Sequence, residues 1–264
     1  MEQESSDDVS ITDASDQSAR IAEASLPHVC ADEPFTGSTS TTGIPLKSTS
    51  TGGLTRLPGQ SSGRKLYLTW KRVLDVLLSL LALVFLSPLM AVTAILIFWE
   101  DGRPVLIAQE RAGKDGKPFR MWKFRSMVRG AEQMQEELRA RSIQDGPAFK
   151  MRDDPRVTRT GNWMRRSGID ELPQLVNILR GEMSIVGPRP LLLREQAGCS
   201  REESRRLSVM PGLVCTWQCC PGKEEIPFSE WMQMDLAYVD HFSAWMDVKI
   251  LLSAFRVVLR KENI

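Results

Sequence analysis

The chain has 264 residues, 42% of them hydrophobic and 25% charged, enough for one folded domain plus extensions. Its 34 Lys and Arg against 33 Asp and Glu leave a net charge of +1, so no global basic field argues for a nucleic-acid partner. His28 and His241 are the only histidines, which gives a Ser-His-Asp triad little support. The cysteines (Cys30, Cys199, Cys215, Cys219 and Cys220) form no CxxC pair and read as reduced thiols in a cytosolic setting, not as zinc ligands.

Residues 1–63 are rich in Ser, Thr, Gly, Asp and Pro and show no apolar periodicity, which predicts a disordered tail. Its first part, residues 1–33, is strongly acidic, with Arg20 as the only Lys or Arg. The tail lacks the positive and apolar regions of a cleavable signal. It acts as a linker or as a phosphorylation target, and the sequence does not choose between them.

Residues 64–101 form a membrane-inserted unit around the apolar run Val73–Trp99. Its 27 residues, at about 1.5 Å rise each, could cross a bilayer core as a straight helix. Trp70 and Trp99 bracket the run, and Lys71 and Arg72 stand at its entry, which places the entry on the cytoplasmic side. Ser87-Pro88 in the middle favours a break, because proline removes a helical hydrogen bond. A full span would export the following domain with its reduced cysteines. The expectation is therefore a re-entrant helix hairpin broken at Ser87-Pro88, with both ends cytoplasmic and Asp75 paired to a neighbouring Lys or Arg.

Residues 102–264 read as a compact mixed domain, giving an α+β fold class: a small, mostly helical catalytic domain with a short β-hairpin and interfacial amphipathic helices. Apolar runs on either side of Gly113-Lys-Asp-Gly116 predict the hairpin. Ala131–Arg141 is an exposed polar helix and 151–160 a basic loop. The last helix, about Trp245–Leu259, puts Ile250, Leu251, Ala254, Phe255, Val258 and Leu259 on one face and Lys249, Arg256 and Arg260 on another. It either packs on the core or rests on anionic lipid.

The most informative stretch is Arg165–Pro190, RRSGIDELPQLVNILRGEMSIVGPRP. Ser167 followed by Asp170, with Pro173 close behind, predicts a helix start there. Leu172, Leu175, Val176 and Leu179 give it one apolar face, and Gly181 its stop. Asp170 and Glu171 then lie in a first turn, where free N–H groups favour negative charge. They either cap the helix or serve a phosphate site, in which an ionised Asp is a candidate nucleophile.

From about Lys71 onward the chain resembles the bacterial sugar transferases, the monotopic phosphoglycosyl transferases. The matching motifs stand in family order: KRVLDV, Ser87-Pro88, QERAGKDGKPFRMWKFRSM, DPRVTRTGNWMRRSGIDELPQL, GEMSIVGPRPLL, MPGLVCTWQ and MDLAYVDHFSAWMDVKILL. The resemblance implies Asp170 as nucleophile on the sugar-bearing phosphate of a UDP-sugar. Polyprenyl (undecaprenyl) phosphate would accept the phosphosugar at the cytoplasmic face of the bacterial inner membrane, within the lipid bilayer. It implies Glu171 as the second member of the dyad and the holder of Mg2+. Arg165 and Arg189 become phosphate contacts, with Lys123, Arg125 and Arg111 as weaker ones or as surface ion pairs. One departure is CCPGKEEIPF after MPGLVCTWQ, near the sugar or acceptor side. The sugar and a homodimer are left open, as are two other classes: a catalytically inactive membrane-anchored scaffold and a phosphohydrolase.

Overall fold

The computed structural model describes residues 62–142, 144, 146–151, 153–220, 222–223 and 226–259, so the tail predicted for the start of the chain lies outside them. The first element is helix α1, Ser62–Asp101, 40 residues long. Straight, it would measure about 60 Å, roughly twice the hydrocarbon thickness of a bilayer. A hairpin β1 (Leu106–Ala112) and β2 (Pro118–Phe124) follows, antiparallel from Leu106↔Phe124 to Ala112↔Pro118, with the turn at Gly113–Gly116 as the sequence predicts. Helices α2 (Ala131–Leu138), α3 (Arg159–Ser167) and α4 (Gln174–Arg180) come next. Strand β3 (Ser184–Val186) then pairs in parallel with β4 (Gly212–Val214) across the short helix α5 (Leu193–Ala197). Helices α6 (Phe228–His241) and α7 (Ala244–Leu259) complete the described fold. The mixed α+β expectation holds; the β3–β4 pair and α6 went unpredicted, since three-residue strands carry no readable periodicity.

Helix α1 is continuous through Ser87 and Pro88, where the sequence predicts a two-helix hairpin. Pro88 cannot donate to the Val84 carbonyl, and the Ser87 hydroxyl donates to that same carbonyl at 2.8 Å, filling the gap. One stripe of α1 docks on the domain between Asp75 and Ile97: Asp75, Ser79, Thr93 and Ile97 are buried, with Leu83 and Met90 partly buried between them. Leu77, Leu81, Phe85, Val92, Ile95 and Trp99 stand on the exposed side, and only 11% of the most apolar window is buried. An apolar face this large is unfavourable in water and fits membrane association.

Polar side chains fix both ends of α1. Arg72 donates to the carbonyls of Ile178 (2.6 Å) and Leu179 (3.0 Å), capping the C-terminus of α4. Glu100 accepts from the backbone N–H groups of Arg159 (2.9 Å) and Thr160 (3.0 Å), capping the N-terminus of α3. Asp75 does not pair with a Lys or Arg as expected. It accepts from the Ser184 hydroxyl at 2.7 Å and the Ile185 N–H at 3.1 Å, because it is buried against β3. Lys71 instead reaches Asp247 of α7 at 2.6 Å, a carboxylate that also accepts from Tyr67 and Tyr238.

Helix α7 packs on the core along one face only. Ile250 and Val257 are buried, whereas Trp245, Val248, Leu252 and Phe255 stand exposed. Phe255 therefore leaves the face it was assigned to; Arg260 and the side chains of Val258 and Leu259 lie outside the described residues. Asp75→Ala is expected to cost about 1.5–3 kcal/mol, the range for hydrogen bonds to a charged group, with two partners left buried. Ser87→Ala, at an exposed site, is expected to cost under about 1 kcal/mol. Thermal unfolding of the two variants in detergent reads the difference.

Candidate active site

The Asp170-Glu171 pair does not open a helix, as the sequence predicts, but forms a 3-10 turn, Ile169–Glu171, between α3 and α4. Ser167 is the last residue of α3, its hydroxyl donating back to Trp163 and Met164, and so it caps nothing downstream. Gly168 takes φ 71°, a left-handed conformation that only glycine adopts cheaply, and this ends α3 and starts the turn. Pro173 stands at the head of α4 and Gly181 at its end, as expected. Ile169 packs in one apolar cluster with Ile97 of α1, Phe124 and Met164, so the turn rests directly on the long helix.

Cations converge on this turn from separate elements. Lys123 of β2 lies 3.7 Å from Glu171 Oε1, and Arg189, in the loop after β3, lies 3.1 Å from the same oxygen. Arg165 of α3 and Arg189 also act electrostatically on Asp170. Arg165 is steadied by its Nε donating to Ser126 Oγ at 3.0 Å. The Arg189 guanidinium sits 5.9 Å from the Trp217 ring, which stacks on Trp231 at 4.2 Å. The predicted residues Lys123, Arg165, Asp170, Glu171 and Arg189 thus come together.

Arg111 and Arg125 are placed differently. Arg111 is buried and donates to the Pro190 carbonyl at 3.0 Å and to Gln109, reaching the site only through its charge. Arg125 binds the Asp101 carboxylate and the carbonyls of Asp101 and Gly102, fastening the end of α1. Sequence reasoning missed Asn177. Its amide donates to Arg120 O at 2.7 Å while its oxygen accepts from Trp122 N at 3.0 Å, so α4 pairs with β2 much as a strand would and sets Lys123 beside the turn. A lone amide inside LVNIL was the available signal, since a buried polar group needs partners.

The two acids differ in environment. Asp170 is 7% exposed and accepts no hydrogen bond among the described residues. Burial and then the neighbouring Glu171 charge raise its pKa, with Lys123, Arg165 and Arg189 opposing. Burial also works against ionised Glu171, but Arg189 and Lys123 outweigh it and hold that carboxyl below its usual range. Burial lowers the Lys123 ammonium to about 8, with Glu171 pulling it up and Arg189 and Arg111 pushing it down. An arrangement with more cations than carboxylates suits a polyanion such as a diphosphate. It also bears on a metal. No group of three or more metal-ligating side chains occurs among the described residues, and Glu171 Oε1 already faces two cations. Of the two Glu171 oxygens, Oε2 is without a partner among the described residues, which fits an ion held mainly by phosphate oxygens and water, as Mg2+ is.

The acidic pair and the cations around it lie within one stretch shared with a known family. Residues 66–261 match the family described as bacterial sugar transferase, and the chain belongs to it. Among its relatives is the galactosyl transferase CpsE of Streptococcus agalactiae, 37% identical over 193 residues, covering 73% of this chain and 43% of that protein. The undecaprenyl-phosphate galactose phosphotransferase of Salmonella typhimurium is 34% identical, covering 73% and 41%. This chain therefore spans less than half the length of either. The exopolysaccharide production protein ExoY of Sinorhizobium fredii is 35% identical, with 71% of this chain and 84% of that protein covered.

Lys123 gives the site a pH signature. Its ammonium loses its proton near pH 8 in the folded protein and near the ordinary lysine value of 10.5 in the unfolded chain. Between those values the unfolded state binds more protons, so stability rises with pH, and the penalty for burying the charge is fully present below pH 8. Wild type is expected to gain stability relative to Lys123→Met as pH rises from 8 to 10. Denaturant midpoints of both proteins across that range measure it, and a constant difference would contradict the depressed value.

Proposed function

We propose that this protein is a phosphoglycosyl transferase that moves a sugar-1-phosphate from a UDP-sugar to polyprenyl phosphate, starting a bacterial glycan. The observation that carries the reading is the division between the two acids: Glu171 is bound by cations, whereas Asp170 is buried among them with no hydrogen-bond donor of its own. A desolvated, unbonded carboxylate is the better nucleophile of the two. The phosphotransferase among the relatives supplies the reaction class.

In this reading an Asp170 Oδ attacks the sugar-bearing phosphorus of the UDP-sugar. The new O–P bond forms as the bridging P–O bond breaks, and its electron pair leaves with UMP. A phosphate oxygen of the polyprenyl acceptor then attacks the same phosphorus, the aspartyl O–P bond breaks, and Asp170 is restored as carboxylate. Lys123, Arg165 and Arg189 hold the diphosphate in line and offset the charge gathering on the leaving oxygen. Glu171 orients Arg189 and Lys123 and, through its second oxygen, would hold Mg2+, which neutralises diphosphate charge when bound. The acceptor is a membrane lipid, and the clamped α1 explains how the site stays at the bilayer. Both ends of α1 dock on one domain, which supports a re-entrant seating, because a simple crossing would carry one end away; the face proposed is the cytoplasmic one of the inner membrane.

Asp170→Asn is expected to reduce UMP release from UDP-galactose and other UDP-sugars on the order of 10³-fold or more, measured with Mg2+ and undecaprenyl phosphate. Undiminished release would remove Asp170 as the nucleophile. Without the lipid acceptor, wild type is expected to give a single-turnover burst, whereas steady release to water would point to a phosphohydrolase. Because the pKa of Asp170 is raised, turnover is expected to fall with pH already above the usual carboxylate range. For topology, Lys65→Cys and Lys114→Cys should react with an impermeant thiol reagent from the same membrane face. Labelling from opposite faces would overturn the re-entrant seating.

A further inference from the structure

Arg189 is the cation nearest Glu171, yet it sits in a loop, Gly187–Pro190, that has no regular structure of its own. The loop is stapled on one side to β4, where Gly187 N–H donates to Val214 O (3.1 Å) and Gly212 N–H to Pro188 O (2.9 Å). The approach is so close that a Cβ on Gly212 would stand 2.1 Å from the Gly187 nitrogen. On the other side two buried guanidiniums hold it. Arg111 donates to Pro190 O at 3.0 Å. Arg206, from the 3-10 helix Glu203–Ser208, donates to the carbonyl of Arg189 itself and to the carboxylate of Asp235 on α6.

The Arg206–Asp235 pair is almost sealed from solvent, at 3% and 1% side-chain exposure. Stability alone is a poor reason for it, because a buried ion pair recovers little more than its desolvation cost and well-packed apolar residues often replace it without loss. It provides what an apolar pair lacks, a charged donor fixed behind the loop and aimed at one backbone oxygen. Asp235 neutralises that donor and anchors it to α6. With the carbonyl held, the backbone of Arg189 cannot rotate freely, and the direction of its side chain toward Glu171 follows.

We propose that Arg206 and Asp235 are positioning residues that act on the reaction through Arg189. The inference rests on the proposed function in that it takes Arg189 as a diphosphate contact. Neither residue touches the acidic pair; their contribution is to keep the Arg189 guanidinium in place before substrate arrives, so that binding energy is not spent on ordering the loop.

The test is a cycle with Arg189→Ala, using the full chain in detergent or nanodiscs. The double variant Arg206→Met/Asp235→Leu removes the donor without leaving a bare buried charge. It is expected to keep its Tm within a few degrees and to lose about 10- to 100-fold in kcat/KM for the UDP-sugar that wild type turns over best, the size expected for misplacement of a contact group. In the Arg189→Ala background the same double change should cost nothing further. Unchanged kcat/KM in the double variant, or a loss that adds in full to that of Arg189→Ala, would overturn the proposal. If the double variant does not fold, Arg206→Lys is read in the same cycle, and full additivity there overturns it equally. A readout independent of turnover is the affinity for UDP measured by calorimetry. The double variant should lower it toward its value in Arg189→Ala, and an unchanged affinity would refute the positioning role. Wild type that releases no UMP would sink the functional reading and leave the UDP affinities to decide this one.

Discussion

The structure depends on how α1 grips the two short helices that flank the acidic pair. Arg72 lies on the C-terminal carbonyls of α4 and Glu100 on the N-terminal amides of α3. Each charge meets the helix end whose dipole it complements. Between those two caps lies the 3-10 turn, with Ile169 pressed into the apolar cluster that Ile97 of α1 helps to form. An isolated helix of seven or nine residues is marginal in water, so α3 and α4 owe their persistence to this external capping and packing. The long apolar helix and the element that carries the acids are therefore one mechanical unit.

That unit explains why the turn can hold two adjacent carboxylates in a buried place. Burial alone would drive both toward protonation, and two like charges side by side would worsen it. Convergence of Lys123, Arg165 and Arg189 opposes this unequally, prevailing at Glu171 but not at Asp170. Arg189 and Lys123 both face one oxygen of Glu171, leaving Asp170 with long-range attraction only. Neighbouring groups with opposed pKa shifts are a recurring basis for dividing chemical roles between two like side chains. The asymmetry arises from three-dimensional placement, since the chain presents the acids as consecutive residues in the same turn.

This is also where the sequence was legible and where it was not. The hairpin at Gly113–Gly116, the α2 helix, the stop at Gly181 and the long apolar helix could be read because each depends on local periodicity or turn chemistry. The convergence of Lys123, Arg165 and Arg189 was recovered only through resemblance, because they come from β2, α3 and a loop, and no spacing rule links them. Two local readings failed for identifiable reasons. Ser167 looks like a helix cap in sequence, but Gly168 in a left-handed conformation turned the expected start into an end. Asp75 looked like a membrane-entry charge awaiting a cation, but the partners that reached it were a hydroxyl and an N–H from a strand 109 residues further on.

The arginines show why charge counts alone mislead here. Arg72, Arg111, Arg125 and Arg206 all donate to backbone carbonyls, so each serves as structure before it serves as charge. A guanidinium suits this use because its fork can satisfy a carbonyl and a carboxylate at once, as Arg125 and Arg206 do. Lysine, with a compact ammonium, would serve the carboxylate and leave the carbonyl less well directed. Arg165 and Arg189 differ from these four, with guanidiniums held by a hydroxyl and by a carboxylate and a nearby ring. Neither is committed to a carbonyl and both flank the Asp170-Glu171 turn, which is why the proposed function gives the phosphate to them and not to Arg111 or Arg125.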